Sequence, residues 1–325
     1  MRDVVVLGDS PTVILDPVPP RDPRVPEGVA SPPGPAPAAR VRGPAAPAGV
    51  GSAVLSWAVG TVSLLALWLA LSALVLGALQ EHGSQARLYD TLREELALAT
   101  APLGPTQPGR PVALLQSASG GLRDLVVVEG TTSRQTQFGP GHRRNTPLPG
   151  QPGVSVLYGR GTTYGAPFAA IGTLRRGDRI TVTTGQGRFG YLVDGVRRTG
   201  DPVPEPLAAG GSRLTLVSVE GQGWRAGWAP TSTVLVDATL DGQAKLPDAS
   251  RSPSIDASEQ AMASYTAAVV PLVLWLQALL LVGSAIAWLV TRWGVWQTWL
   301  VGSPVVLAVL WQCASVALQL LPNLI

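Results

Sequence analysis

The 325 residues suffice for one or two domains, and 46% hydrophobic content against 14% charged residues is too apolar for an ordinary soluble domain. A formal net charge of +3 gives no strong field for nucleic acid. The single cysteine excludes an intrachain disulfide, so any thiol chemistry has to come from Cys313.

Residues 1–50 carry Pro17, Pro19, Pro20, Pro32 and Pro33 among Ala, Gly and Arg, and cannot bury enough apolar surface to offset their ordering entropy. They read as a disordered, Pro-rich cytoplasmic tail rather than a removable signal peptide, with Val4–Leu7 and Val13–Leu15 as its more apolar stretches. Between Gly51 and Leu79 no residue is charged. About 20 apolar residues cross the hydrocarbon core, so 51–80 is read as a transmembrane helix. Residues 81–109 hold a juxtamembrane helix with Leu88, Leu92 and Leu96 at helical spacing, either a stalk or a cover for the next domain. His82, at its membrane-proximal end, reads as a surface group.

Residues 110–242 show short β-type runs separated by Gly and Pro: Val112–Gln116, Arg123–Glu129, Gly153–Tyr158, Arg179–Thr184, Phe189–Arg198, Arg213–Val219 and Thr233–Leu240. This pattern predicts a closed or nearly closed β-barrel. Gly185-Gln186-Gly187 is a hairpin turn and not a phosphate loop, because no helix follows it. Residues 243–264 read as a linker back to the membrane, with Pro247–Ser258 polar and unpatterned. Two further transmembrane helices are expected at 265–291 and 297–321, joined by the turn Thr291–Trp296 into a hairpin. Cys313 lies inside the last of them, where a thiol in hydrocarbon is inert. Arg40, Arg42 and Arg292 flank the spans on one side, which puts the N-terminus in the cytoplasm and the barrel outside a multi-pass cell-membrane anchor.

The barrel region resembles a known family. Thr146-Pro147-Leu148-Pro149-Gly150, the strand Val154–Tyr158, Thr162-Thr163-Tyr164-Gly165-Ala166-Pro167-Phe168, Leu174-Arg175-Arg176-Gly177-Asp178 and Leu214-Thr215-Leu216-Val217 occur in the order seen in sortases, most closely the actinobacterial class E type. The resemblance covers about residues 110–240. It implies a mostly β, sortase-like closed β-barrel in an extracytoplasmic cysteine transpeptidase that joins sorting-motif proteins to cell-wall or pilus amines. Three transmembrane α-helices and the disordered N-terminal tail complete the expected fold.

The family's catalytic residues do not carry over. Arg160, in Gly159-Arg160-Gly161, stands where the resemblance implies a catalytic His; Val219 stands at the nucleophilic Cys position and Thr233 at the oxyanion-stabilising Arg position. Thiol acyl transfer needs a thiolate, a proton carrier and an oxyanion donor. Valine has no lone pair, and Arg160 stays charged and cannot shuttle protons.

Two residues outside those positions are candidates for other chemistry. Ser218 adjoins the nucleophile position, but neighbouring strand residues face opposite sides, so it points away from the groove. His142 is the barrel's lone histidine and reads mainly as a solvated loop residue, secondarily as a general base. Two isolated histidines give no metal-ligand spacing and no cofactor motif is present, so neither a metal nor a cofactor is expected. In sortases the loop before the nucleophile strand lines the peptide groove, so Pro204 and Glu205 join Arg160, Tyr164, Val219 and Thr233 as groove residues.

The expected function is a catalytically inactive sortase homologue that binds an extracytoplasmic protein or a sorting-type peptide at the cell envelope. The pairs Arg143–Arg144, Arg175–Arg176 and Arg197–Arg198 could also attract an anionic cell-wall polymer. The alternatives are a transpeptidase or hydrolase using a non-cysteine mechanism, and a barrel serving only as a spacer.

Overall fold

The computed structural model describes residues 50–221, 232–247 and 251–325. Of the tail expected over 1–50, all but Val50 lies outside the described residues, with its apolar stretches Val4–Leu7 and Val13–Leu15 and with Arg40 and Arg42.

Helix α1 (Val50–Leu71), a π turn (Ser72–Leu76) and α2 (Gly77–Ala97) run on as one continuous helix. Its uncharged first part bonds its own backbone, which is what an isolated segment needs in lipid. The second part turns amphipathic and lies on the barrel. Leu92 is buried there, and Gln85 acts as a clamp: its Oε1 accepts from Val126 N at 2.7 Å, while its Nε2 donates to Val126 O at 3.1 Å and Phe138 O at 2.8 Å. The helix covers the barrel rather than standing free.

Eight strands follow: β1 (Pro111–Ser117), β2 (Leu125–Glu129), β3 (Gly141–His142), β4 (Gly153–Tyr158), β5 (Arg179–Thr184), β6 (Gly187–Arg198), β7 (Ser212–Glu220) and β8 (Ser232–Leu240). They close in the order β1-β2-β3-β4-β7-β8-β6-β5, with β5 pairing back to β1. The β2–β3 and β4–β7 pairs are parallel and the others antiparallel. Seven strands fall on the expected runs. β3 has two residues, too few to carry an alternation. Gly185-Gln186 closes the β5–β6 hairpin, with Thr184 opposite Gly187.

The strands form because β-branched and aromatic residues alternate inward. Ile180, Val182, Tyr191, Leu214, Leu216 and Val236 meet in the barrel core. Each such side chain contributes about 1.5–3 kcal/mol on burial. The hydroxyl of Tyr191 is satisfied: Tyr191 Oη accepts from Gly150 N at 2.6 Å and bonds Ser212 Oγ at 3.0 Å.

The segment expected as a plain linker is strapped to the barrel. Lys245 N donates to Gly150 O at 2.8 Å, Thr131 Oγ1 to Glu259 O at 2.7 Å, and Arg144 Nε to Glu259 Oε1 at 2.6 Å. A one-turn helix α3 (Ser133–Thr136) lies between β2 and β3. Helices α4 (Val269–Trp293) and α5 (Val295–Ala317) form a hairpin around Gly294, whose φ of +94° suits glycine. Trp68 Nε1 donates to Leu310 O at 3.2 Å, tying the first helix to the third. Among the described residues, three helices are long and apolar enough to cross a membrane: Val59–Ala97, Thr266–Trp293 and Val295–Leu320. Barrel and helices belong to one unit, Val54–Ile325.

Candidate functional site

The outer face of β4, β7 and β8 carries the site. Strand periodicity places Thr215, Val217 and Val219 on this face and Leu214, Leu216 and Ser218 toward the core. Antiparallel register sets Val219 opposite Thr233, Val217 opposite Leu235 and Thr215 opposite Asp237. Ser218 is fully buried, and its Oγ has no hydrogen-bond partner among the described residues.

Arg160 follows β4 and is fully buried. Its flanking glycines permit that path: a Cβ at Gly159 would fall 2.3 Å from the Phe168 ring, and one at Gly161 would fall 2.3 Å from Val219 O. Nη2 donates to Ser133 Oγ at 2.7 Å and Ser133 O at 3.0 Å, and Nη1 donates to Thr163 Oγ1 at 3.1 Å and Ile325 O at 3.3 Å. The guanidinium also sits 4.8 Å from the centre of the Tyr164 ring. Nε has no partner, and no Asp or Glu carboxylate pairs with this arginine among the described residues. Burial draws its pKa down to about 10, which leaves it charged at neutral pH.

Tyr164 adopts φ +50°, a left-handed conformation that costs a non-glycine residue energy. The π turn holds it there: Tyr164 N donates to Ala73 O at 3.3 Å, and its ring packs against Gly77. Tyr164 is therefore buried against the membrane-proximal helix and does not face the open groove.

The last residues of the chain complete the site. Gly161 N donates to Leu324 O at 2.9 Å and Thr163 N to Ile325 O at 3.3 Å. Leu324 is fully buried in a cluster with Tyr158, Val217 and Val219, and Ile325 packs on the same cluster. Asn323 Nδ2 donates to Thr131 O at 2.6 Å and Gln260 O at 2.8 Å. Sequence reasoning missed this segment, because five residues after a span carry no periodicity. The signal that could have been used is Pro322, which ends a helix, followed by a side chain able to bond peptide groups.

Below this occupied end the face remains open as a groove of about 360 Å³ lined by Val156, Tyr158, Pro204, Val217, Thr233 and Leu235. Arg143, Arg197 and Arg213 also line it. Arg197 Nε bonds Asp237 Oδ2 at 2.5 Å. Of the loop residues expected here, Pro204 lines the groove. Glu205 does not; it is exposed, its strand-connecting loop turning it to solvent.

His142 corrects an expectation. It is fully buried on β3, with Nδ1 3.0 Å from Glu129 Oε2 and Nε2 3.0 Å from Pro147 O. Glu129 also accepts from Arg251 Nη1, and Arg251 Nη2 donates to Gly104 O at 3.1 Å. Burial alone would raise the Glu129 carboxyl, but the His142 hydrogen bond and the charges of His142 and Arg251 hold it below its ordinary value. A residue that reads as solvated in sequence is thus a structural member of a buried network, because its partners come from β2 and the strapped segment. His82 is exposed beside Glu81, as expected of a surface group. Cys313 is on α5. No group of His, Cys, Asp and Glu able to hold a metal is found among the described residues.

These features define a closed barrel, joined to helices long and apolar enough to cross a membrane, with a groove on its β4-β7-β8 face. Residues 119–220 match the family model described as the Sortase domain, so the chain carries a sortase domain. Similar solved structures include a sortase D5 transpeptidase from Clostridium perfringens, at 22% identity over 49% of this chain and 99% of that one, with a TM-score of 0.41. Sortase E from Streptomyces avermitilis is 31% identical over 42% of this chain and 91% of its own, with a TM-score of 0.35. Sortase C from Clostridium perfringens, solved with the C-terminal cell wall sorting motif, is 18% identical over 49% and 89%, also with a TM-score of 0.35. No curated protein matches the chain.

Proposed function

We propose that this protein is a catalytically inactive sortase homologue that holds an extended polypeptide segment at the outer face of the membrane. The observation that carries this reading is the pairing of Val219 with Thr233 at the head of the groove, neither of them a cysteine, while the single cysteine, Cys313, is on α5. Acyl transfer requires a nucleophile there and an oxyanion donor opposite it. A branched alkyl group and a neutral hydroxyl provide neither. Arg160, where the resemblance to class E sortases implies histidine, is charged and engaged with neutral oxygens, so it takes no proton from a nucleophile.

The non-cysteine alternative finds little to work with. Ser218 Oγ is buried against Gly161 with no hydrogen-bond partner among the described residues, so no base reaches it, and both ring nitrogens of His142 already have partners. The groove instead offers an apolar floor with guanidiniums at its edge, which suits an extended chain bearing apolar and acidic or terminal groups, a sorting-type peptide included. A spacer role would leave that groove unused. Arg292 lies in the helical hairpin turn at the far end of the spans from the barrel, in keeping with a cytoplasmic turn and an extracytoplasmic barrel.

Two measurements test this reading. Intact mass of the purified protein after incubation with sorting-type peptides is expected to show no covalent acyl adduct; an adduct on any side chain sinks the inactivity. A photoreactive residue in place of Thr233 is expected to capture a polypeptide from the envelope, and absence of capture at high expression counts against the binding role.

A further inference from the structure

The segment Leu321–Ile325 sits in this site as a ligand would. After α5 and a short 3₁₀ turn (Leu318–Leu320) the backbone becomes extended at Leu321, with φ −67° and ψ 147°. It then passes between the Gly159–Tyr164 loop and β7. Its recognition is mainly through the main chain: the amides of Gly161 and Thr163 donate to Leu324 O and Ile325 O, and Asn323 N donates to Ala263 O at 3.1 Å. One polar side chain anchors it, Asn323 across Thr131 O and Gln260 O, and one apolar side chain, Leu324, fills the pocket over Val219. Backbone bonds supplying affinity and side-chain pockets supplying selectivity are the mode by which proteins take up extended peptides. Arg160, wholly buried and with Nε unpartnered, points the same way, since its Nη1 bond to Ile325 O supplements only neutral partners.

We propose that Leu321–Ile325 is the resident and displaceable occupant of the site, closing the head of the groove in cis. An incoming extended polypeptide with an apolar side chain for the Leu324 pocket then gains the head of the groove only by displacing this segment. The inference rests on the reading of the groove as a polypeptide site, and it adds the occupant and the regulation. A tethered ligand acts at high effective concentration, so closure lowers the apparent affinity for any segment supplied in trans by the fraction of molecules that are closed.

The test uses the full chain in nanodiscs. In a Cys313→Ala background, Val219→Cys is expected to react slowly with a maleimide while the tail is seated. Adding Asn323→Ala and Leu324→Ala removes the anchor and the apolar plug, and labelling is expected to quicken about tenfold or more, the scale of losing buried hydrogen bonds and one apolar side chain. With Val219 intact, hydrogen exchange reads the same event: the Gly161 and Thr163 amides are expected to exchange faster in the tail variant, and those of β7 to stay unchanged. Equal labelling and equal exchange with and without the tail substitutions overturn the closure.

A fluorescent peptide of residues 318–325 then separates the two levels. It is expected to bind the tail variant about tenfold or more tightly than the wild type. Faster labelling without peptide binding leaves the tail as a plug but overturns displacement by an extended segment, and the groove reading falls with it.

Discussion

Arg160 is wholly buried and the Arg251 side chain is only 7% exposed, and the two are satisfied in opposite ways. Arg251 meets the carboxylate of Glu129, which also holds His142, so the charge is neutralised within the fold. Arg160 meets hydroxyls, carbonyls and an aromatic ring, and Nε is left over. A buried charge is costly unless paired and hydrogen-bonded, so the first arrangement stands by itself as structure. The second depends on what fills the neighbouring site, here the carbonyl of Ile325. That contrast marks where the molecule is built to hold itself and where it is built to hold a segment of chain.

The contrast breaks first at Glu129. Glu129→Gln removes the anion while Arg251 and His142 stay buried, and thermal unfolding is expected to report a loss of about 3–5 kcal/mol. A loss no larger than that of a surface pair would dissolve the distinction.

Acid should act through the same group. The folded-state value of Glu129 lies below its ordinary one, so its contribution is fully present above the ordinary carboxylate range and drains as pH falls through the lowered value. The melting temperature of the wild type is expected to fall between about pH 5 and pH 2 by more than that of Glu129→Gln. Equal slopes would mean that other carboxylates carry the acid sensitivity.

Arg160→Met keeps most of the volume and removes the charge. With no Asp or Glu orphaned, its cost is expected at about 1–2 kcal/mol, from the abandoned Ser133 and Thr163 partners, and below that of Glu129→Gln in the same assay. A cost exceeding that of Glu129→Gln would make Arg160 the main structural ion. At the small end, Asp241→Asn breaks the exposed pair with Arg179 and is expected to change stability by less than about 1 kcal/mol in denaturant titration.

Much of the barrel could be read locally. The run Arg-Ile-Thr-Val-Thr-Thr over β5 alternates inward and outward, and the observed strand has the bounds expected, Arg179–Thr184. The same parity set Ser218 apart from the face of Val219; its hydroxyl is buried, next to Gly161. β3 could not be read, since two residues have no period, and His142 on it was placed in solvent. The strap over 243–264 was missed for a related reason: polar, unpatterned sequence looks the same whether it hangs free or is held by Arg144 and Glu129.

By itself the sequence determined the three long apolar helices, the β-rich middle and the position of the lone thiol outside the sortase domain. Hydrocarbon-spanning length and period-two alternation are local properties, so they survive in a one-dimensional reading. Only the tertiary structure decided the partners of the buried ionisable groups and the seating of the tail. Glu129 and Arg251 are 122 residues apart, and Arg160 and Ile325 are 165 apart. No local pattern records contacts of that range; barrel closure and the return of the third span toward the barrel create them.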